Sequence, residues 1–254
     1  VVGVAYVGGR WRDGAARMNF VRFSGEFFIY FVLIALGGAV LVAFTMGMFE
    51  AIGIDAEPVL EGWLPSAALG AVIVASWLVE AKQSVIENMA PVLTRLFSPL
   101  FTATLFVFLA TMAWTGRGID IQREVLIGFD LLLVLVLGLL LYSISARDPH
   151  TPRGAFDFVL VALVVSALVA DGVALAAIAA RITEYGSTPN RLAALGMNIV
   201  LLGNLAWSAW LYLRFLRGRG AFAAVERWQT AYLPVYGAWA AIVAVGFPLL
   251  FGYR

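Results

Sequence analysis

Along most of the chain, apolar residues run on without the alternation of a half-buried strand, and polar residues collect in short intervals between the runs. About 20 apolar residues at 1.5 Å each span the roughly 30 Å hydrocarbon core of a bilayer. Seven such runs are predicted, at Phe27–Phe49, Trp63–Val79, Leu100–Trp114, Val125–Ile144, Phe156–Ala180, Leu192–Leu213 and Leu233–Phe251, with the third starting earlier, around Leu96. The pattern predicts an all-α fold: a polytopic transmembrane helical bundle of about seven spans.

Two segments differ from the spans. From Ala81 to Pro99 the apolar residues Val85, Ile86, Met89, Val92, Leu93, Leu96 and Phe97 recur at helical spacing opposite Lys82, Gln83, Glu87, Asn88 and Arg95. That is the pattern of an amphipathic helix lying in the membrane interface and interrupted at Pro91, or else of an extension of the neighbouring spans. Val1–Gly9 is apolar, does not begin with Met and precedes a group of arginines, which reads as the tail of a preceding span. Residues 1–254 are therefore expected to form a single transmembrane domain, the C-terminal part of a longer membrane protein or a processed one.

Composition supports lipid as the solvent. Of 254 residues 62% are apolar and 13% charged, against roughly 45–50% and about 25% in soluble domains, and the mean hydropathy is +0.92. A water-soluble single domain does not fit. The 17 basic and 16 acidic residues form no basic stripe, so no nucleic-acid partner is expected. With no Cys and only His150, the chain lacks the means for disulfides, iron–sulfur clusters or a bis-histidine haem, and no metal site or cofactor is predicted. The only lysine, Lys82, falls just past the second span, which removes a retinal Schiff base inside a helix.

Net charge hides an uneven distribution. Arg10, Arg12, Arg17 and Arg22, then Lys82 and Arg95, then Arg147 and Arg153, then Arg214, Arg217, Arg219 and Arg227 all fall on one side of a seven-span topology, twelve of the seventeen basic residues. By the positive-inside rule this side is cytoplasmic, which predicts an N-terminus inside and a C-terminus outside in a bacterial cytoplasmic (inner) membrane. The first outer connection holds Glu50, Asp55, Glu57 and Glu61 and no basic residue.

An ionised side chain inside a span costs about 2.5–3.5 kcal/mol on insertion scales, so intramembrane acids are the first candidates for function. Asp130 and Asp171 qualify, and Asn198 reaches a similar depth from the outer side, so the three are predicted to share one layer. Ala162, Ser166, Ala170 and Ala174 form a small-residue stripe that lets helices approach closely, with Asp171 beside it and facing inward. Two readings stay open: a polar cavity with Asp171 as a proton or cation site, or a protonated Asp171 that hydrogen-bonds Asn198 and joins two helices. Asn204 is expected to make a separate interhelical hydrogen bond. Asp157, at the start of its span, is accounted for by the helix N-terminus.

The most polar connection runs from Arg181 to Arg191. Gly186 can close the helix before it, Thr188 can cap the next and Pro189 suits a first turn, giving a tight outer helix–turn–helix. Arg181, Glu184, Tyr185, Thr188 and Arg191 form a second candidate cluster, as a ligand gate or an ion-paired clasp. Most tryptophans fall near span ends, as in aromatic belts, and Pro234 and Pro248 bracket the last span, whose Gly237, Ala241 and Ala244 suggest a packed face.

The stretch Asn19–Phe27, the turn Glu184–Arg191 with Tyr185, Gly186, Thr188 and Arg191 matching a YGxTxxR pattern, and the ending Trp228–Tyr236 resemble bacterial inner-membrane proteins grouped as domain of unknown function 4153. The resemblance spans nearly the whole chain. It implies a multi-pass protein with further spans upstream, and brings no reaction, ligand or catalytic residue with it.

No phosphate-binding glycine loop, HExxH motif or catalytic constellation is present, so a non-enzymatic accessory subunit or sensor-like module of a membrane complex fits best, with the bilayer and other membrane subunits as partners. An ion-coupled permease using Asp130, Asp171 and Asn198 is the alternative. A membrane enzyme acting on lipid or glycan carriers comes third.

Overall fold

The structure is a computed structural model that describes residues 2–10, 12–81, 89–117, 123–148, 151–185 and 188–252. Among these the fold is all-α: α1 (Val2–Tyr6), α2 (Gly14–Glu50), α3 (Glu57–Ala81), α4 (Met89–Thr115), α5 (Arg123–Ser145), α6 (Ala155–Tyr185), α7 (Pro189–Leu216), α8 (Ala223–Ala241), a π-helical segment (Ile242–Gly246) and α9 (Phe247–Phe251). Seven helical stretches are long and apolar enough to cross a membrane, at the seven predicted places, and the chain is a multi-pass membrane protein. Several helices outrun their apolar runs. With 37 residues α2 is about 55 Å long, so it tilts or projects beyond the hydrocarbon.

The chain divides into two compact units. One comprises Val1–Val42 and Glu57–Leu93, the other Ala43–Ala56 and Thr94–Arg254. In the first, Tyr6 of α1 lies against Phe20 and Phe23 of α2, with ring centroids 5.6 and 4.7 Å apart, and Phe27 and Phe31 continue that row at four-residue spacing. In the second, Phe44 and Phe49 at the end of α2 pack edge-on against Phe101 and Phe108 of α4. The guanidinium of Arg117, beyond α4, donates to the carbonyls of Gly53 and Ile52.

The core of the second unit is built from α5, α6, α7 and α8. Helix α6 packs on α5 and α7, and α7 on α8. Half of the α6 apolar window is buried against only 6% in the last span, so α6 is the central helix and the last span faces outward. The small-residue stripe explains the close packing: Ser166, Ala170 and Ala174 are buried, and Ala167 beside them is fully so.

Some expectations change. Of the segment read as an interfacial helix, residues 82–88 lie outside the described residues, and Met89–Pro99 forms the first turns of α4, continuous with the third span. Pro91 does not interrupt it, because a proline in the first turn has no intrahelical donor to lose. Likewise Pro234 lies inside α8, since that helix begins at Ala223. Pro248 follows the π-helical segment, where the Phe247 N–H reaches back five residues to the Ile242 carbonyl. Gly237, Ala241 and Ala244 are exposed, and α8 instead buries Val225 and Gln229.

A close contact joins α7 and α8. A Cβ on Gly196 would lie 2.0 Å from Trp239 Cζ2 and 2.1 Å from its Cη2, so the indole rests directly on the α7 backbone and no larger residue fits without moving it.

Candidate functional site

Asp130 of α5, Asp171 of α6 and Asn198 of α7 meet in one layer. The Asn198 amide nitrogen donates to Asp171 Oδ1 at 2.8 Å and to Asp130 Oδ1 at 3.0 Å. Asp171 is 0% and Asn198 1% exposed, whereas Asp130 is only partly buried. By residue count, the layer lies about 10 Å into α5, about 13 Å into α7 and near the middle of the roughly 46 Å α6. A single amide N–H₂ offers two donors, and each carboxylate takes one. That leaves Asp171 Oδ2 and Asn198 Oδ1, both buried acceptors, without a hydrogen-bond partner.

On one side of this layer each helix buries apolar side chains. On α5 Leu133 and Val136, on α6 Val164 and Ala167, and on α7 Leu201 and Leu205 are all buried, and each lies between the Asp–Asn–Asp layer and the opposite end of its helix.

At the opposite end sits a second polar assembly that sequence reasoning passed over. Asp157, 2% exposed, forms an ion pair with Arg147 from the α5–α6 connection. It also accepts a hydrogen bond from the Tyr212 hydroxyl of α7 at 3.2 Å and, through Oδ2, from the Gly154 N–H at 2.8 Å. The last of these is the return half of a capping box. Arg147 further donates to the carbonyls of Thr151 and Pro152, and its guanidinium carbon lies 5.1 and 5.0 Å from the ring centroids of Phe215 and Phe222. One ion pair thus ties together the α5–α6 connection, the start of α6, the end of α7 and the α7–α8 turn. Tyr212→Phe removes one hydrogen bond to a charged acceptor and is expected to cost about 1.5–3 kcal/mol in detergent unfolding.

Between α7 and α8 the polar contacts form a relay. Ser208 donates to the Asn204 carbonyl at 2.7 Å or its side-chain oxygen at 2.9 Å and accepts from Gln229 Nε2 at 2.7 Å. Trp228 Nε1 donates to the Asn204 carbonyl and the Tyr232 hydroxyl to the Val200 carbonyl. Asn204 thus takes part in interhelical hydrogen bonding as expected, directly through its carbonyl to Trp228 and through Ser208 to Gln229.

Only part of the second predicted cluster falls among the described residues. Gly186 and Ser187, and the side chains of Arg181, Glu184 and Tyr185, lie outside the described residues. The turn itself is short: α6 ends at Tyr185 and α7 begins with Pro189 at its first position. Thr188 occupies the N-cap with extended backbone, but it is exposed and its side chain makes no capping hydrogen bond. Arg191 is exposed on the first turn of α7. Among the described residues no three His, Cys, Asp or Glu side chains converge as metal ligands.

Comparison of the chain with protein-family models, curated proteins and solved structures finds no match.

Proposed function

We propose that the Asp130–Asn198–Asp171 layer is a proton or monovalent-cation site, and that the protein is an ion-coupled membrane protein of the permease type. It sits in the bacterial cytoplasmic membrane with its N-terminus inside and the cluster opening outward. The observation that carries this is the pair of buried acceptors left unpaired, Asp171 Oδ2 and Asn198 Oδ1. Two carboxylates and a neutral amide in an apolar layer leave negative charge uncompensated, which a proton or a small cation would neutralise. The partial exposure of Asp130 and the apolar side chains buried on the far side support entry from the α6–α7 end.

The proposal predicts cation or proton flux in proteoliposomes under an imposed gradient, read with a pH-sensitive dye and with a sodium-sensitive dye. Asp171→Asn keeps the shape of the side chain and removes its charge. It is expected to cut flux at least tenfold while the protein still purifies as a folded species. Equal flux in the variant and the parent protein would leave the cluster as a hydrogen-bonded joint between helices.

A second reading, an accessory subunit of a membrane complex, is favoured by the last span. That span is barely buried within the chain and exposes the small residues Gly237, Ala241 and Ala244, a face suited to close contact with another helix. Purification in mild detergent tests it: a stoichiometric partner supports this reading, and a chain that always elutes alone counts against it.

A further inference from the structure

We infer that the arginines around the α5–α6 and α7–α8 connections form a binding surface for the phosphate headgroups of anionic phospholipids. These connections, residues 146–155 and 214–227, lie at the same end of the bundle, because the Arg147–Asp157 pair and the rings of Phe215 and Phe222 join them. Arg147 is neutralised there by Asp157. Arg153, Arg214, Arg217, Arg219 and Arg227 remain exposed, against Asp148 and Glu226 as the only acids in the two stretches. The surface thus carries a net excess of three positive charges.

Two of these side chains are held in place. The C-terminus of α7 closes as a Schellman turn, in which the Gly218 N–H bonds the Phe215 carbonyl at 3.0 Å and the Arg219 N–H the Arg214 carbonyl at 2.9 Å, with Gly218 at φ +74°. Over that glycine sits the guanidinium of Arg153: a Cβ on Gly218 would lie 3.1 and 3.3 Å from its two terminal nitrogens. The same group faces the Phe215 ring at 5.7 Å. The Arg214 guanidinium lies 4.8 Å from the Trp210 ring centroid and donates to the Arg219 carbonyl at 3.2 Å. Aromatic faces and a tight turn thus hold two planar forks of N–H donors before any ligand arrives, which lowers the ordering cost of binding.

Position selects lipid over free phosphate. The arginines flank the ends of membrane-crossing helices, and Trp207 and Trp210, exposed on α7 with ring centroids 4.6 Å apart, lie one to two turns from Arg214. Exposed indoles there suit the acyl–headgroup boundary, and clustered arginines at a span end suit anionic headgroups.

The test uses the full chain, delipidated in mild detergent and offered cardiolipin, phosphatidylglycerol or phosphatidylcholine. Retained lipid is counted by native mass spectrometry and the thermal midpoint is followed in parallel. Cardiolipin and phosphatidylglycerol are expected to be retained and to raise the midpoint, and phosphatidylcholine is not. Arg153→Gln with Arg214→Gln is expected to lower retention about tenfold or more, while Arg191→Gln at the opposite end of α7 leaves it unchanged. Gly218→Ala, which pushes on the Arg153 guanidinium and strains the turn that holds Arg214, is expected to weaken retention without removing either arginine. Equal retention of phosphatidylcholine, an unaffected double variant, or full replacement of the lipid effect by inorganic phosphate would each overturn the inference.

Discussion

Arg147→Ala is expected to destabilise the protein by about 3–5 kcal/mol, the usual cost of leaving one member of a buried ion pair without its partner. Asp157, 2% exposed in the parent protein, would be left with only the Tyr212 hydroxyl and the Gly154 N–H to hold its charge. Arg147 also fills space between Phe215 and Phe222. Arg147→Met keeps most of that volume, so its loss of stability isolates the charge. Combining Arg147→Met with Asp157→Leu is expected to cost less than either change alone, because no uncompensated charge remains. Unfolding curves in one detergent, for the parent protein and these variants, check the set. A single-variant loss below about 0.5 kcal/mol, the scale of an ordinary surface change, would mean the pair is solvated and contributes little.

Gly196→Ala is expected to have the second largest effect. Its methyl would sit 2.0 Å from the Trp239 ring, inside any possible contact distance, and the indole is too rigid to bend away. Either the ring leaves its place or α7 and α8 separate, at about 1–3 kcal/mol or more. Trp239→Ala made in the Gly196→Ala background should recover part of the loss, which a non-specific defect in α7 would not do. The quenching of Trp239 fluorescence, read in a variant keeping that tryptophan alone, reports the same displacement directly.

How much of this was legible in the sequence depends on which force wrote it. The seven spans were legible because lipid penalises unsatisfied backbone and charge over a fixed thickness, and that thickness sets run lengths. Their ends were not, since a helix continues past the hydrocarbon wherever propensity and capping allow; hydropathy alone therefore starts the first span at Phe27, while α2 begins at Gly14. The same limit hid Pro234 inside α8.

The meeting of Asp130, Asp171 and Asn198 could be anticipated because intramembrane acids are rare and depth can be counted along each helix. Asp157 could not be ranked that way. A helix N-terminus is sufficient reason for an acid, and only the fold brings Arg147 and Tyr212 onto it. Glycines behave similarly: Gly196 is indistinguishable in sequence from its neighbours, and its role exists only because Trp239, forty-three residues later, lands on it. The exposed small residues Gly237, Ala241 and Ala244 illustrate the converse, since a small-residue face specifies close packing without saying which partner supplies it.

The buried cluster is proposed to hold an exchangeable proton or cation. Difference infrared spectroscopy of the protein in lipid, recorded on changing pH or adding sodium, observes the carboxyl groups themselves. The expected result is a carboxylic-acid carbonyl band that responds to one of these changes, disappears in Asp171→Asn and shifts in Asn198→Ala, which removes the hydrogen bonds to both acids. A spectrum indifferent to pH and sodium, and identical in the parent protein and Asp171→Asn, would contradict it.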